Sequence, residues 1–522
     1  MELGRIHLVE IQTQKIILET LTKKAAARCD GCLFYQKMSP MDKQYRIALT
    51  SLLGAAVFAF WMWLYPQAPH YQEQNQLFLF TWDYLGRRLV LPGGLADYIS
   101  EFLVQLFYIR WAGALVMAAL AVLLQVATWR ASGEKRSLYA VSFIPSLLLL
   151  IYMGDMDVLV SYPVAIIMAT MLCPLFVKAG WHRLWLFPVG WWMVGPVIMI
   201  PALLSVIKGH KWEDILALVW LFAGAYAQYR LLAAQYPLRD AFFGLNYYRL
   251  VEILPAMQVV IPVVTLLCIL ICGSGMDFRH PALVNGAVAA VLFAGTWFAV
   301  PLTFNKDAQE TLAYDWLIRN QRYAEVIKRA EKYQPHNPVS ACSVNMCLFM
   351  EGQLTNRFAE FYQCGIQGLV QPSVRDNLSD CTSQEILWMM GMPNITLQYA
   401  FDLQESIQNG RKSGRFTARI AECNIVNGWY DRASRYLDIL SHSMFYRKWA
   451  LERKAMIQNE ALVSKDPVYA YIRSVRFKDD FITRYEGLDL MMAILYNQNK
   501  NNFMAAEYYS VWQQLKKMEG AE

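Results

Sequence analysis

Three aspartates stand where a carboxylate could do chemistry. Asp83 lies in the run Leu77-Phe-Leu-Phe-Thr-Trp-Asp83-Tyr-Leu-Gly-Arg87-Arg88, among aromatic residues and just before two arginines. Asp155 and Asp157 flank Met156 in the polar turn Met153-Gly154-Asp155-Met156-Asp157. Carboxylates two positions apart can share a divalent cation such as Mg2+ or Mn2+, hard ions that prefer oxygen ligands. Asp83, Asp155 and Asp157 are therefore the candidate catalytic and metal-binding residues. Arg87, Arg88, Lys208, Lys211 and Arg279 are the cations that could neutralise a bound pyrophosphate. The competing reading is that aspartate is a common turn residue and that turns between apolar segments must be polar.

These residues are positioned by apolar helices. Of 522 residues, 56% are hydrophobic and only 17% charged, against about a quarter charged in soluble proteins. Eight runs are long enough to cross a bilayer: 47–65, 111–129, 137–154, 158–177, 184–207, 212–232, 251–273 and 281–301. The tail 1–45 is rich in Lys and Arg, which places it in the cytoplasm by the positive-inside rule. The loop 66–110 and the Asp155 turn then fall outside, the loops with Arg230, Arg239 and Arg249 inside, and an even count leaves the C-terminal part inside. Within the long outer loop, Pro92-Gly93-Gly94 makes a turn. An amphipathic helix follows it, with Asp97 and Glu101 on a narrow acidic side.

Beyond about residue 302 the pattern changes to short amphipathic helix pairs. Leu312-Ala-Tyr-Asp-Trp316-Leu317, Tyr323-Ala324-Glu325 and Pro335-His-Asn-Pro338 follow the tetratricopeptide (TPR) pattern, with weaker copies at 350–361, 427–437 and 488–515. The expected fold is all-α: a polytopic helical membrane domain over 46–301 followed by a TPR-like α-solenoid over 302–522. Such stacks offer a concave face to protein partners.

Other signals exclude more than they support. The ten cysteines form no regular framework, and Cys29-Asp-Gly-Cys32 supplies two metal ligands where structural zinc takes four. There is no phosphate-binding glycine loop, no H-E-x-x-H and no G-x-S-x-G. The formal charge of +6 is not arranged as a basic patch with stacking aromatics, so no nucleic-acid partner is expected.

The order of parts over 46–175 resembles the GT-C class of membrane glycosyltransferases: a span, a long outer loop with an acidic residue, two spans and a short acidic outer loop. The resemblance implies Asp83 as the first acid and Asp155-Met156-Asp157 as the second. It further implies a polyprenyl-linked sugar donor; separately, the expected location is a bacterial inner membrane. That class usually has more spans than eight, and its extra domain usually faces outward. The chain as a whole also resembles multispan membrane proteins of Bacteroidetes. Glycosyl transfer from a lipid-linked donor is the reading that names residues. A membrane scaffold recruiting a protein through its repeats is the main alternative, and a transporter is a third.

Overall fold

The computed structural model describes residues 40–134, 138–209, 212–250, 252–276, 278–374, 378–407, 409–477 and 487–519. It is all-helical among these residues, apart from isolated pairings such as that of Val158 with Tyr248. Residues 1–49 and 50–522 form separate compact units. The first is described only as the start of the helix Pro40–Ala59, so Cys29-Asp-Gly-Cys32 and most of the basic tail lie outside the described residues.

Among the described residues seven helices are long and apolar enough to cross a membrane: Lys43–Leu64, Arg110–Ser132, Ser161–Lys178, Gly180–Gly209, Asp214–Leu232, Ala256–Gly273 and Pro281–Leu302. The segment expected at 137–154 forms the shorter apolar helix Tyr139–Tyr152. Exposed Ile215, Val219, Leu283, Val291 and Phe298 leave an apolar outer face, the kind of surface a bilayer covers.

Side-chain contacts order the helix ends into two levels. At one level, Arg110 donates to the Met62 carbonyl, Thr303 to Ile151, and Tyr162 to Gln258. At the other, Thr50 meets Gln125 and Tyr139, the Cys272 thiol donates to Leu138, and the Ala140 amide donates to Asn285. Tyr139–Tyr152 runs from the second level to the first, despite its length.

The stretch Gly180–Gly209 does not run through. Its two arms, Arg183–Val194 and Met199–Gly209, are about 18 and 16 Å long at 1.5 Å per residue. Arg183, which donates to the Phe176 and Val177 carbonyls, forms a buried ion pair with Asp214 beyond the second arm. The stretch thus starts and ends at one level and turns at Gly195. There φ is +68°, and a Cβ would stand 2.9 Å from the Tyr247 hydroxyl. The sequence alone predicts one span over 184–207, which would put Arg249 and Asp157 on opposite sides. The fold-back puts them on the same side, and they are paired.

After Leu302 consecutive helices pack pairwise, beginning with Lys306–Arg319 and Tyr323–Lys332. Asn305 caps the first of these through its side-chain oxygen. The last hairpin, Leu488–Gln498 and Phe503–Glu519, does more than extend the row. Tyr508 and Trp512 join the core of the earliest pairs, and Asn502 donates to the Met390 carbonyl at 2.9 Å.

Candidate functional site

The loop between Met62 and Arg110 is a structured block joined to the C-terminal half. Leu77 belongs to the same apolar core as Trp388, Leu437 and Tyr469, and its amide donates to the Lys412 carbonyl at 2.7 Å. The Phe80 amide donates to His442 at 2.9 Å. The composition changes near residue 302, but the packing does not divide there.

The acidic side of Gly94–Val104 faces this junction. Asp97 and Glu101 are one helical turn apart, and both accept from Arg411, at 2.7 and 3.0 Å. Arg88 reaches the second oxygen of Glu101 at 2.9 Å, and Tyr84 donates to the same oxygen. Burial, with Asp97 alongside, pushes the Glu101 carboxyl above the usual glutamate range. The sequence marked this acidic side but not its partner, which lies 310 residues away.

A second buried network follows. Arg415 holds Asp315 at 2.8 Å and Gln74 at 3.1 Å, and Arg419 holds Glu385 at 2.6 Å. Burial raises the Glu385 carboxyl, but Arg419 and Arg415 outweigh it and hold it below its ordinary value. Among the described residues Glu73 accepts only from the Tyr446 hydroxyl, at 3.4 Å, and burial holds its carboxyl above the usual range. His70, on the same helix, is lowered to about 4 by burial, Arg319 and Arg110.

The second network, through Glu385, Arg415 and Arg419, borders a groove of about 500 Å3. Its walls come from Lys306–Arg319, Pro338–Met350, Asp380–Met389, Gly414–Val426 and Arg447–Met456, the first helices of successive pairs. Trp388, Trp449, Tyr323 and Phe445 line it together with Arg319, Glu385, Arg419 and Glu422. Tyr108 from the loop stacks on Phe445 at 4.8 Å and closes one side. The Arg419 guanidinium lies over Trp388, 4.7 Å from the ring centre. The groove was not legible in the sequence, because its lining comes from separated helices.

The sequence-derived site residues fall in several places. Asp83 is exposed in the first turn of Trp82–Leu89 and pairs with Arg87 at 2.5 Å, one turn on. Asp155 accepts from the Asp157 amide at 3.0 Å and from the Tyr248 hydroxyl at 2.8 Å, while burial raises its carboxyl. Asp157 is held by Arg249 at 2.5 Å. Asp83, Asp155 and Asp157 all lie at the level of the first loop. Lys208 and Arg279 do not: they end Met199–Gly209 and follow Ala256–Gly273 at the other level. Arg88 is committed to Glu101, and Lys211 lies outside the described residues.

Among the described residues, no three His, Cys, Asp or Glu side chains are grouped so as to hold a metal ion. As it stands, Arg249 pairs with Asp157 and Tyr248 donates to Asp155. No curated protein and no solved structure matches the chain. Its sequence does match one family model over residues 43–518, and the chain belongs to that family, DUF6057, a family of unknown function.

Proposed function

We propose that this is a membrane-anchored recognition protein whose helix pairs act as a TPR-like solenoid and take an extended segment of a partner protein. The observation that carries the reading is the groove walled by the first helices of successive pairs from Lys306–Arg319 to Arg447–Met456. Trp449 and Phe445 offer flat apolar contacts, and Arg319 and Glu422 offer both charges, which suits a peptide of mixed character. The first loop, sharing the core and supplying Tyr108, sets the groove rigidly against the apolar helices. The end with Arg130 and Lys178 is the cytoplasmic one, so the groove faces away from the cytoplasm. In a bacterial cell this is the outer face of the inner membrane.

A photo-reactive side chain placed at Gln321, on the groove wall, tests this in the native membrane. It should yield one adduct of defined protein mass, lost when Arg319→Glu and Trp449→Ala are combined. The same probe at exposed Lys465 should yield none. Adducts that survive both substitutions, or their absence at Gln321, would overturn the reading.

Glycosyl transfer from a lipid-linked donor is the second reading. It is favoured by the placing of Asp83, Asp155, Asp157 and the C-terminal half at one level, the layout the GT-C resemblance implies. Asp83 would act as the base and Arg87 would face the donor phosphates. Exposed ion pairs contribute about 0–1 kcal/mol, so Asp83→Asn should leave the melting temperature almost unchanged while abolishing turnover of a sugar-lipid pool. An undisturbed pool would end this reading.

A further inference from the structure

Three cavities join end to end where the first and last long helices meet the C-terminal half. The first, about 370 Å3, is an apolar groove between the two helices, lined by Val57, Phe60, Trp63, Leu147, Phe293 and Trp297. Phe60, Leu64, Trp297 and Val300 also line the second, about 550 Å3, whose far wall is polar and carries Lys306, Arg329 and His336. Gln67, Arg329 and Tyr333 in turn line the third, about 530 Å3, with Arg110, Lys328 and Lys332.

From these cavities we infer a binding site for one anionic phospholipid, with an acyl chain in the apolar groove and its phosphate among the cations above it. Three features point to that occupant. Polarity changes along the cavity in the order of a lipid, from hydrocarbon to headgroup. Trp63 and Trp297, 66% and 64% exposed, mark the change and are the residues enriched at headgroup depth. The two polar cavities hold six Lys and Arg side chains against Asp307, Glu310 and Glu325. Glu325 is already paired with Arg322 at 2.6 Å. Lys306, Lys328 and Arg329 form no ion pair among the described residues and are exposed. Charge at this level is therefore in excess of what the fold uses, and a phosphate would balance it.

The site is independent of the peptide groove, and its test reads lipid alone. The purified full chain would be exchanged into detergent with phosphatidylglycerol or phosphatidylcholine at equal concentration, and the retained lipid counted by native mass spectrometry. Phosphatidylglycerol should be retained at least tenfold over phosphatidylcholine. Lys306→Gln and Arg329→Gln should each weaken it about fivefold, since a basic side chain near an anionic headgroup contributes about 1 kcal/mol. Both positions are exposed, so the variants should melt like the parent. Ala56→Phe, which fills the groove from an exposed position, should reduce retention of either lipid. Glycerol 3-phosphate should not compete at the same concentration. Equal retention of the two lipids would overturn the inference. So would unchanged binding in all three variants, or displacement by glycerol 3-phosphate, which would indicate a simple anion site.

Discussion

Arg411→Leu is expected to cost about 3–5 kcal/mol, the range found when one partner of a buried ion pair is removed. The side chain is 3% exposed and meets Asp97 and Glu101, which are 1% and 0% exposed. Without it, Arg88 still serves Glu101, but among the described residues Asp97 keeps no direct cationic contact, and its second oxygen has no hydrogen-bond partner there. The full chain in detergent should melt well below the parent. Adding Asp97→Asn should return part of the loss, because an amide tolerates that site better than an unpaired charge. The sign of the pH dependence follows from Glu101, which burial and Asp97 already hold above the usual glutamate range. Loss of Arg411 removes one of the charges that lower it, so its folded pKa rises further above the unfolded one and the folded state binds more protons between the two values. Stability therefore falls as pH rises through that window, and the defect should be smaller at pH 5 than at pH 8. An unchanged melting temperature with intact protease resistance would mean that the network contributes nothing to holding the loop.

The second large effect is all-or-none. If the C-terminal half shares the membrane side of the first loop, Gly86→Cys and Asn501→Cys should react with an impermeant thiol reagent from one side. Ser274→Cys should react only from the other. All three positions are exposed, and a side chain at Gly86 meets nothing within 4 Å. Cys29, Cys32 and the half-buried Cys364 would first be replaced by serine; the other described cysteines are buried. Reaction of Asn501→Cys and Ser274→Cys from the same side would refute the odd number of passages. Seven passages follow once Tyr139–Tyr152 is counted and Gly180–Gly209 is taken as returning to its own level.

That count shows where hydropathy reading stops. A window of apolar residues records length and polarity, so helices such as Arg110–Ser132 and Ala256–Gly273 were legible almost to their ends. Direction leaves no such trace. Gly195-Pro196 reads like the other glycines and prolines of the region, and only the pairing of Arg183 with Asp214 reveals the reversal. The acidic face of Gly94–Val104 was visible from its spacing. Its partner Arg411 was not, because Arg411 sits among several basic residues with no local mark of burial. Asp83 drew attention through its aromatic neighbours, yet Phe78, Tyr84 and Phe102 pack among themselves and leave the carboxylate in solvent.

The junction of the first loop with Arg411 also has a consequence for how the chain is made. Glu101 leaves the ribosome 310 residues before the arginine that will cover it. At roughly 5–20 residues per second, that interval is about 15–60 s. Throughout it, Asp97 and Glu101 lack Arg411, although Arg88 and Tyr84 already precede them in the chain and can reach Glu101. During every round of synthesis the nascent chain thus passes through a stage in which its first loop lacks the C-terminal half that it packs against. The time spent there is set by translation speed rather than by the folding rate of the loop itself.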